Sequence, residues 1–261
     1  MTRAAAARRA VPANAADPGM ARARAPSGAE RAMLRGMTAE PRAPELTASV
    51  ENYLKAIYSI QRGGTAATQD IAQRLGVAPA SVSGMLRRLA EQGLLEHEPY
   101  RGATLTKAGR RAALRTLRRH RVIESYLATV LGYPWDRVHD EAERLEHAAS
   151  DELIDRMAAA LGDPDADPHG APIPTREGTV DETVHRSLDD LDVGAQARVV
   201  RVSDEDPDLL RYLDELELRP GAEVQILARA PFEGPITIEV GGVSRLVGPA
   251  LAAHILVAPR D

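Results

Sequence analysis

The sequence predicts a mainly α-helical chain that ends in a small β-rich domain. Apolar residues recur at helical spacing through much of residues 45–161, and glycines mark the breaks between the repeats. From Leu191 onward they fall instead into short runs typical of strands. The chain has 261 residues, 44% of them hydrophobic, which is enough for one to three domains that fold unaided.

The composition excludes several kinds of site. The chain has no cysteine, which excludes disulfides, thiolate nucleophiles, iron–sulfur clusters and cysteine-bearing zinc sites. Aromatic residues make up 3%, which argues against stacking platforms for single-stranded nucleic acid. No apolar run approaches the roughly 20 residues of a membrane span, and no segment resembles a signal peptide. We therefore expect a cytoplasmic protein with no membrane partner.

The net charge of −5 is unevenly distributed along the chain. Residues 1–44 carry a net charge of +5, and residues 45–119 a net charge of +6. Residues 120–165 carry −7 and residues 166–261 carry −9. A basic front favours a polyanion as partner, whereas an acidic back is either cation-binding or merely solvated.

Residues 1–44 are rich in alanine, arginine and proline and show no apolar periodicity. This composition predicts a disordered N-terminal extension. A mitochondrial presequence is also rich in arginine, so that interpretation stays open.

Residues 45–118 predict a winged helix-turn-helix. The predicted elements are a helix ending at Gly63-Gly64, a short helix capped by Thr68, a helix from about Ala80 to Gln92, and strands at 94–97 and 103–106. In this arrangement the second helix of the turn enters the major groove of DNA.

The predicted groove helix begins with small and hydroxyl side chains that allow a close approach to DNA. The candidate DNA-binding residues are Ala80, Ser81, Ser83, Gly84, Arg87, Arg88 and Arg101. The arginines can neutralise phosphates, which makes binding dependent on salt. A three-helix core used for protein contacts is the alternative.

Residues 119–162 predict a helical domain. The predicted helices run from Lys107 to about Val130, from about Trp135 to Ala149, and from Asp151 to Leu161 with Ser150 as N-cap. Residues 163–190 contain four prolines and are predicted to be a linker outside any core. Residues 191–261 form the β-rich domain, with one short helix at 208–215.

Histidines and carboxylates cluster on two of these helices. His120 and Glu124 are four residues apart, and His139, Glu143 and His147 follow the same spacing, with Glu146 beside them. Solvated ion pairs are the ordinary explanation, but this much like charge on facing helices would repel without a cation. Imidazole and carboxylate without thiolate suit Mn²⁺ or Fe²⁺, although affinity alone would favour Zn²⁺ or Cu²⁺.

Three stretches carry a family resemblance: R-R-H-R-V-I-E from residue 118, V-H-D-E-A-E-R-L-E-H-A-A-S-D from residue 138, and D-P-H-G-A-P-I-P from residue 167. With the helix-turn-helix, they resemble the diphtheria toxin repressor family of metal-dependent regulators over residues 45–258. The resemblance implies a metal-binding and dimerisation domain at 119–162 and an SH3-like (FeoA-like) β-barrel at 191–261. It also implies a homodimer on a double-stranded DNA operator, with two dimers per operator as an open alternative.

The resemblance further implies two metal sites. The ancillary site would be His120, Glu124 and His139, with Asp206 as the best match for a ligand from the SH3-like domain. Leu209 stands where some members have a ligating glutamine. The primary site would be Glu143, Glu146 and His147, joined by Asn52 from the first helix.

The identity of the metal also follows from the resemblance. Iron-responsive members have cysteine at the position of Glu143 and methionine at that of Asn52, whereas manganese-responsive members have glutamate and aspartate. Glu143 therefore implies the manganese-responsive branch, and Asn52 departs from both patterns. An amide carbonyl is a hard but weaker donor.

These features predict a repressor, not an enzyme, that binds operator DNA when Mn²⁺ is plentiful and controls metal-uptake genes. An iron-dependent regulator of the same family is the alternative. A dinuclear metal hydrolase acting on nucleic acid is a further alternative. So is a winged-helix sensor of small molecules whose metal is only structural.

Overall fold

A computed structural model describes residues 46–61, 64–98, 101–204 and 206–260. The predicted N-terminal extension, 1–44, lies outside these residues. The predicted fold class, mainly α with a small β domain, is confirmed by the element order and by three separate hydrophobic cores. No helix among the described residues is long and apolar enough to cross a membrane.

The N-terminal domain packs three helices against a two-stranded wing. Its elements are α1 (Ala48–Ile60), α2 (Thr68–Leu75), α3 (Pro79–Glu91), β1 (Leu95–Glu98) and β2 (Gly102–Leu105), and the two strands pair antiparallel. Leu54, Ile57 and Leu86 are fully buried in its core. Thr68 does not cap α2: it is the first helical residue, and Ala67 occupies the cap position without a side-chain hydrogen bond.

The helical domain consists of α4 (Lys107–Thr129), α5 (Val138–Leu145) and α6 (Asp151–Ala160). The long α4 packs against α1 as well as against α5 and α6, so it belongs to two domains at once. Ser150 caps α6 as predicted, its hydroxyl oxygen accepting the N–H of Leu153 at 3.2 Å.

Helix α5 is shorter than predicted, because it begins at Val138 and not near Trp135. The Trp135 side chain packs into the hydrophobic core of the β domain. Its ring stacks on His169, with the centroids 5.6 Å apart, and the Arg219 guanidinium lies 4.7 Å above it. A residue expected to begin a helix therefore joins the helical and β domains.

The proline-rich stretch was wrongly predicted to lie outside any core. Asp167, His169, Ala171 and Ile173 are all buried. Asp167 Oδ1 accepts the N–H groups of His169 and Ala171, both at 2.9 Å, which fixes a tight turn. Gly170 sits there at φ +84°, and a Cβ at this position would lie 2.0 Å from the carbonyl oxygen of Val200.

The β domain is one six-stranded antiparallel sheet around a single core. Its elements are β3 (Arg186–Ser187), a 3₁₀ turn (Leu188–Asp190), β4 (Gln196–Val202), α7 (Pro207–Glu215), β5 (Glu223–Arg229), β6 (Ile236–Val240), β7 (Val243–Val247), α8 (Pro249–Ala252) and β8 (Ile255–Pro259). The strands lie in the order β3-β8-β4-β5-β6-β7. The sequence did not predict β3, β7 or α8. Strand β7 is an edge strand with mostly solvent-facing residues, so it lacks the apolar alternation of a half-buried strand.

The wing packs so closely on α4 that only glycine fits at Gly109. A Cβ there would lie 1.9 Å from the carbonyl oxygen of Leu94, which is backbone and cannot rotate away. We expect Gly109→Ala to lower the free energy of unfolding by about 2 kcal/mol or more, measured as a lower urea midpoint. Gly84→Ala is the matched control, because its Cβ would meet open space. Equal midpoints for the two variants would contradict this packing.

Candidate metal centre

The first candidate metal group lies at the C-terminal end of α5. Glu143, Glu146 and His147 each place one ligand atom within 4.8 Å of the others. Their spacing on consecutive turns puts them on one face of the helix. We call these three residues the primary group.

Helix α1 of the DNA-binding domain reaches the primary group with two charged side chains. Lys55 Nζ donates to Glu146 Oε1 at 2.8 Å and also contacts Glu143 Oε1. His147 Nδ1 lies 2.6 Å from Glu51 Oε2. Since a carboxylate only accepts, the proton lies on Nδ1, and Nε2 presents its lone pair to the group.

Asn52 follows Glu51 on the same helix, as the resemblance requires of a ligand from the first helix. Its Oδ1 is buried and has no hydrogen-bond partner among residues 46–61, 64–98, 101–204 and 206–260. A buried amide oxygen without a partner is unfavourable, and a cation would satisfy it.

A second candidate group assembles from three parts of the chain. Glu124 on α4, Asp167 and His169 in the turn, and Asp204 after β4 each place one ligand atom within 4.8 Å of the others. We call these four residues the second group. Within the part of the chain that the structure describes, Glu124 Oε2, Asp167 Oδ2 and His169 Nδ1 are buried without hydrogen-bond partners.

The tautomer of His169 is fixed by a backbone carbonyl. His169 Nε2 donates to the carbonyl oxygen of Trp135 at 2.8 Å. The proton therefore lies on Nε2, and Nδ1 turns its lone pair towards Glu124 Oε1, 3.9 Å away. His169 is thus prepared as a ligand in the same way as His147.

The ancillary residues expected from the sequence come together only in part. His120 Nε2 lies 3.0 Å from Glu124 Oε1 and 3.1 Å from His139 Nδ1. Asp206, however, caps α7: its Oδ1 accepts the N–H groups of Asp208 and of Leu209. The carboxylate that approaches His139 is Asp204, with 3.8 Å between Asp204 Oδ2 and His139 Nδ1.

His120 joins the two groups because its other nitrogen contacts the primary group. His120 Nδ1 lies 2.6 Å from Glu146 Oε2. Burial alone would lower the pKa of His120, but the charge of Glu124 and the hydrogen bonds to Glu124 and Glu146 raise it to about 10. His120 is therefore an imidazolium between two carboxylates.

The carboxylates respond to this cation in the opposite direction. Burial would raise the pKa of Glu124 and of Glu146, yet His120 lowers both, assisted at Glu146 by Lys55. Asp167 differs, because burial and the charge of Glu124 raise its pKa to about 6 despite Arg121. The centre holds more negative charge than its own cations easily balance.

Sequence reasoning missed Asp167, His169 and Asp204 as candidate ligands. Asp167 and His169 stand in the D-P-H-G stretch, whose prolines indicated a linker, and irregular backbone has no periodicity that marks a buried face. Asp204 lies two residues from the expected Asp206, within a loop that offers no spacing rule. The one available signal was a histidine next to a glycine in an otherwise proline-rich turn.

The predicted DNA-contacting residues lie on α3 and at the wing. Ala80, Ser81, Gly84, Arg87, Arg88 and Arg101 are exposed. Ser83 is half-buried and its hydroxyl donates to the carbonyl oxygen of Pro79 at 3.1 Å, and Arg101 pairs with Glu98. The exposed set consists of small side chains on α3 together with three arginines, two on α3 and one at the wing.

Comparison with known proteins matches this architecture segment by segment. Residues 45–103 match the family described as "Iron dependent repressor, N-terminal DNA binding domain". Residues 106–175 match "Iron dependent repressor, metal binding and dimerisation domain". Residues 186–259 match "FeoA domain". The fold and the centre are those of a metal-dependent DNA-binding regulator with a C-terminal β domain.

The relatives define the family. The iron-dependent repressor IdeR of Mycobacterium tuberculosis is 34% identical over 224 residues, covering 80% of this chain and 96% of that protein. The diphtheria toxin repressor of Corynebacterium diphtheriae is 32% identical over 209 residues, covering 76% and 91%. The chain belongs to the diphtheria toxin repressor family of metal-dependent regulators.

Solved structures agree with this assignment. A manganese-dependent transcriptional repressor in complex with manganese is 41% identical with a TM-score of 0.76, covering 81% of this chain and 100% of that one. The manganese regulator SloR is 32% identical with a TM-score of 0.69, covering 82% and 100%. Both structures are of manganese-dependent regulators, which supports the manganese-responsive branch that Glu143 implies.

Trp135 provides a built-in probe of the second group, because the chain's single tryptophan stacks on His169. We expect a titration with Mn²⁺ to quench its fluorescence, since a paramagnetic ion at His169 would lie next to the ring. His169→Gln keeps the size and polarity of the side chain but not the imidazole nitrogen, and should abolish the quenching. The exposed His254 gives the control, His254→Gln, which should quench like the parent protein. Equal quenching in His169→Gln would remove His169 from the ligand set.

Proposed function

We propose that this protein is a manganese-dependent repressor that binds operator DNA and controls genes of metal uptake, with an iron-dependent regulator as the alternative. The observation that carries the proposal is the position of the primary group. Its oxygen and nitrogen ligands lie where α1 of the DNA-binding domain meets α5 of the helical domain, and Lys55 and Glu51 reach it from α1. Binding of a cation at this group would therefore act directly on α1 of the DNA-binding domain.

The residues present suit a divalent cation at both groups. Glu143, Glu146, His147 Nε2 and Asn52 Oδ1 would hold one cation, and the second group would hold another. A cation bound at either group would supply positive charge that balances the negative charge of the buried carboxylates. Carboxylate, amide and imidazole donors without thiolate favour Mn²⁺ or Fe²⁺ over softer ions.

The domain arrangement couples the centre to DNA binding through α1. Helix α1 packs against α2 and α4 and shares its core with α3, so fixing α1 against α5 also fixes the groove helix. Any cation that prefers one placement of α1 shifts the population towards it. Affinity for metal and affinity for DNA are then reciprocally linked.

We further infer that the protein acts as a homodimer. Five large apolar residues of the helical domain are between 41% and 57% exposed: Val130, Leu131, Tyr133, Leu145 and Leu153. They fall within the segment that matches the dimerisation family, where exposed apolar side chains are available for a subunit interface. We also propose that two dimers bind one operator. The protein is proposed to act in the cytoplasm and to have no catalytic activity.

The proposal is tested by operator binding under anaerobic conditions, with Mn²⁺, Fe²⁺, Co²⁺ and Zn²⁺ titrated in turn. The DNA is a duplex selected by the Mn²⁺-loaded protein from a random-sequence pool, and the mass of the complex gives the number of dimers. We expect the tightest operator binding with Mn²⁺ and release by a chelator. Cleavage of the duplex would indicate the hydrolase instead, and binding that survives chelation would indicate a purely structural metal.

Metal preference is expected to change with one donor atom. Glu143→Cys replaces a hard oxygen by a soft sulfur, which should move the preference in operator binding from Mn²⁺ towards Fe²⁺. Glu141→Cys, on the same helix but paired with Arg144 rather than facing the group, is the control. Unchanged preference for Mn²⁺ in Glu143→Cys would refute this account of selectivity.

The DNA surface is tested by salt dependence. Arg87 is exposed on α3, so Arg87→Ala should weaken operator binding and reduce the slope of log K against log salt by about 1 if it contacts one phosphate. Arg198→Ala, in the β domain, is the control and should leave the slope unchanged. The same slope for Arg87→Ala as for the parent protein would remove Arg87 from the interface.

A further inference from the structure

Lysine is rare in this chain, and one of the two lysines lies in the metal centre. Of 33 basic residues, 31 are arginine, and the lysines are Lys55 and Lys107. The Lys55 side chain is 14% exposed and Lys107 is exposed. Lys55 is therefore the largely buried one of the two lysines, and its burial is comparable with that of Arg119 and Arg121, whose side chains are 10% and 9% exposed.

The ammonium of Lys55 occupies the position where a cation is expected. Nζ is 2.8 Å from Glu146 Oε1, whose side chain is fully buried, and contacts Glu143 Oε1 as well. Both acceptors belong to the primary group, whose ligand atoms lie within 4.8 Å of one another. A divalent cation bound between these two oxygens would therefore have to take the place of the ammonium.

The ammonium group of Lys55 is suited to this position. It is a compact point charge on a flexible stem, with three donors and no lone pair, whereas arginine presents a flat fork. It can neutralise two converging carboxylates as an ion would, and its stem lets it swing away. It cannot itself act as a ligand while protonated.

We propose that Lys55 is an internal counter-cation that occupies the primary group in the metal-free protein and that a divalent cation displaces. The proposal rests on the function proposed above. Lys55 thereby weakens the affinity for metal, because binding must break two ion pairs and overcome repulsion from the ammonium. In the absence of metal its two ion pairs stabilise the carboxylates of the primary group. The residue sets the metal concentration at which the protein responds.

The experiment compares Lys55→Leu with the control Lys107→Leu, which removes the other lysine from an exposed position. Mn²⁺ binding is measured by electron paramagnetic resonance of the free ion, and thermal unfolding is measured without metal. We expect Lys55→Leu to bind Mn²⁺ at the primary group about tenfold more tightly or better, since a repelling charge is gone. We also expect its metal-free melting temperature to fall, and both quantities to stay unchanged in Lys107→Leu.

A second variant separates charge from packing. Lys55→Arg keeps the positive charge, so its Mn²⁺ affinity should stay within about threefold of the parent protein. If Lys55→Leu does not fold, Lys55→Gln takes its place with the same expected tightening. Affinity within twofold of the parent in the uncharged variant, or weaker affinity, would overturn the proposal.

Failure of this proposal is distinguishable from failure of the proposed function. Glu146→Gln in the otherwise unchanged protein should lose the Mn²⁺ that the primary group binds. If the parent protein binds Mn²⁺ through Glu146 but Lys55→Leu shows no gain, only the role of Lys55 is wrong. If the parent protein binds no Mn²⁺ at all, the metal-dependent function itself is wrong.

Discussion

Two fully buried carboxylates, Glu124 and Glu146, impose the constraint on which the rest of the structure depends. An isolated buried carboxylate is strongly unfavourable, so each needs a positive charge or an equivalent set of hydrogen bonds close by. His120 lies between them with one ring nitrogen on each, at 2.6 Å from Glu146 and 3.0 Å from Glu124. One imidazolium does not balance two carboxylates together with their acidic neighbours, so further positive charge has to come from elsewhere in the chain or from outside it.

The chain supplies part of that charge from the DNA-binding domain and part from α4, and the centre lies where these elements meet. Lys55 comes from the DNA-binding domain, and Arg121 on α4 faces Asp167 of the turn at 3.6 Å. Asp204 follows β4 of the β domain. Because residues from three domains converge, the charge at the centre and the placement of the domains are coupled.

The sequence predicts the regular parts of this arrangement and not the irregular ones. Helical spacing was enough to place Glu143, Glu146 and His147 on one face, and the turn signals were enough for a winged helix-turn-helix. Asp167 and His169 were not predictable as candidate ligands, because a buried turn held by a side chain leaves no periodic pattern. Lys55 carried no signal either, since a basic residue on an amphipathic helix is normally solvated.

The three central histidines look alike in the sequence, but their protons distinguish them. Glu51 fixes the proton of His147 on Nδ1, and the carbonyl of Trp135 fixes that of His169 on Nε2, so each presents a bare nitrogen to its group. His120 has carboxylates at both nitrogens, at 2.6 Å from Glu146 and 3.0 Å from Glu124, and they raise its pKa to about 10. It therefore connects the primary group with Glu124 of the second group. Helical spacing places His120, Glu124 and His139 together, but the three-dimensional structure also brings His120 and His139 close to Glu143, and Glu124 close to Asp167, His169 and Asp204. The irregular segments after α6 and β4 thus add candidate ligands that no helical pattern contains.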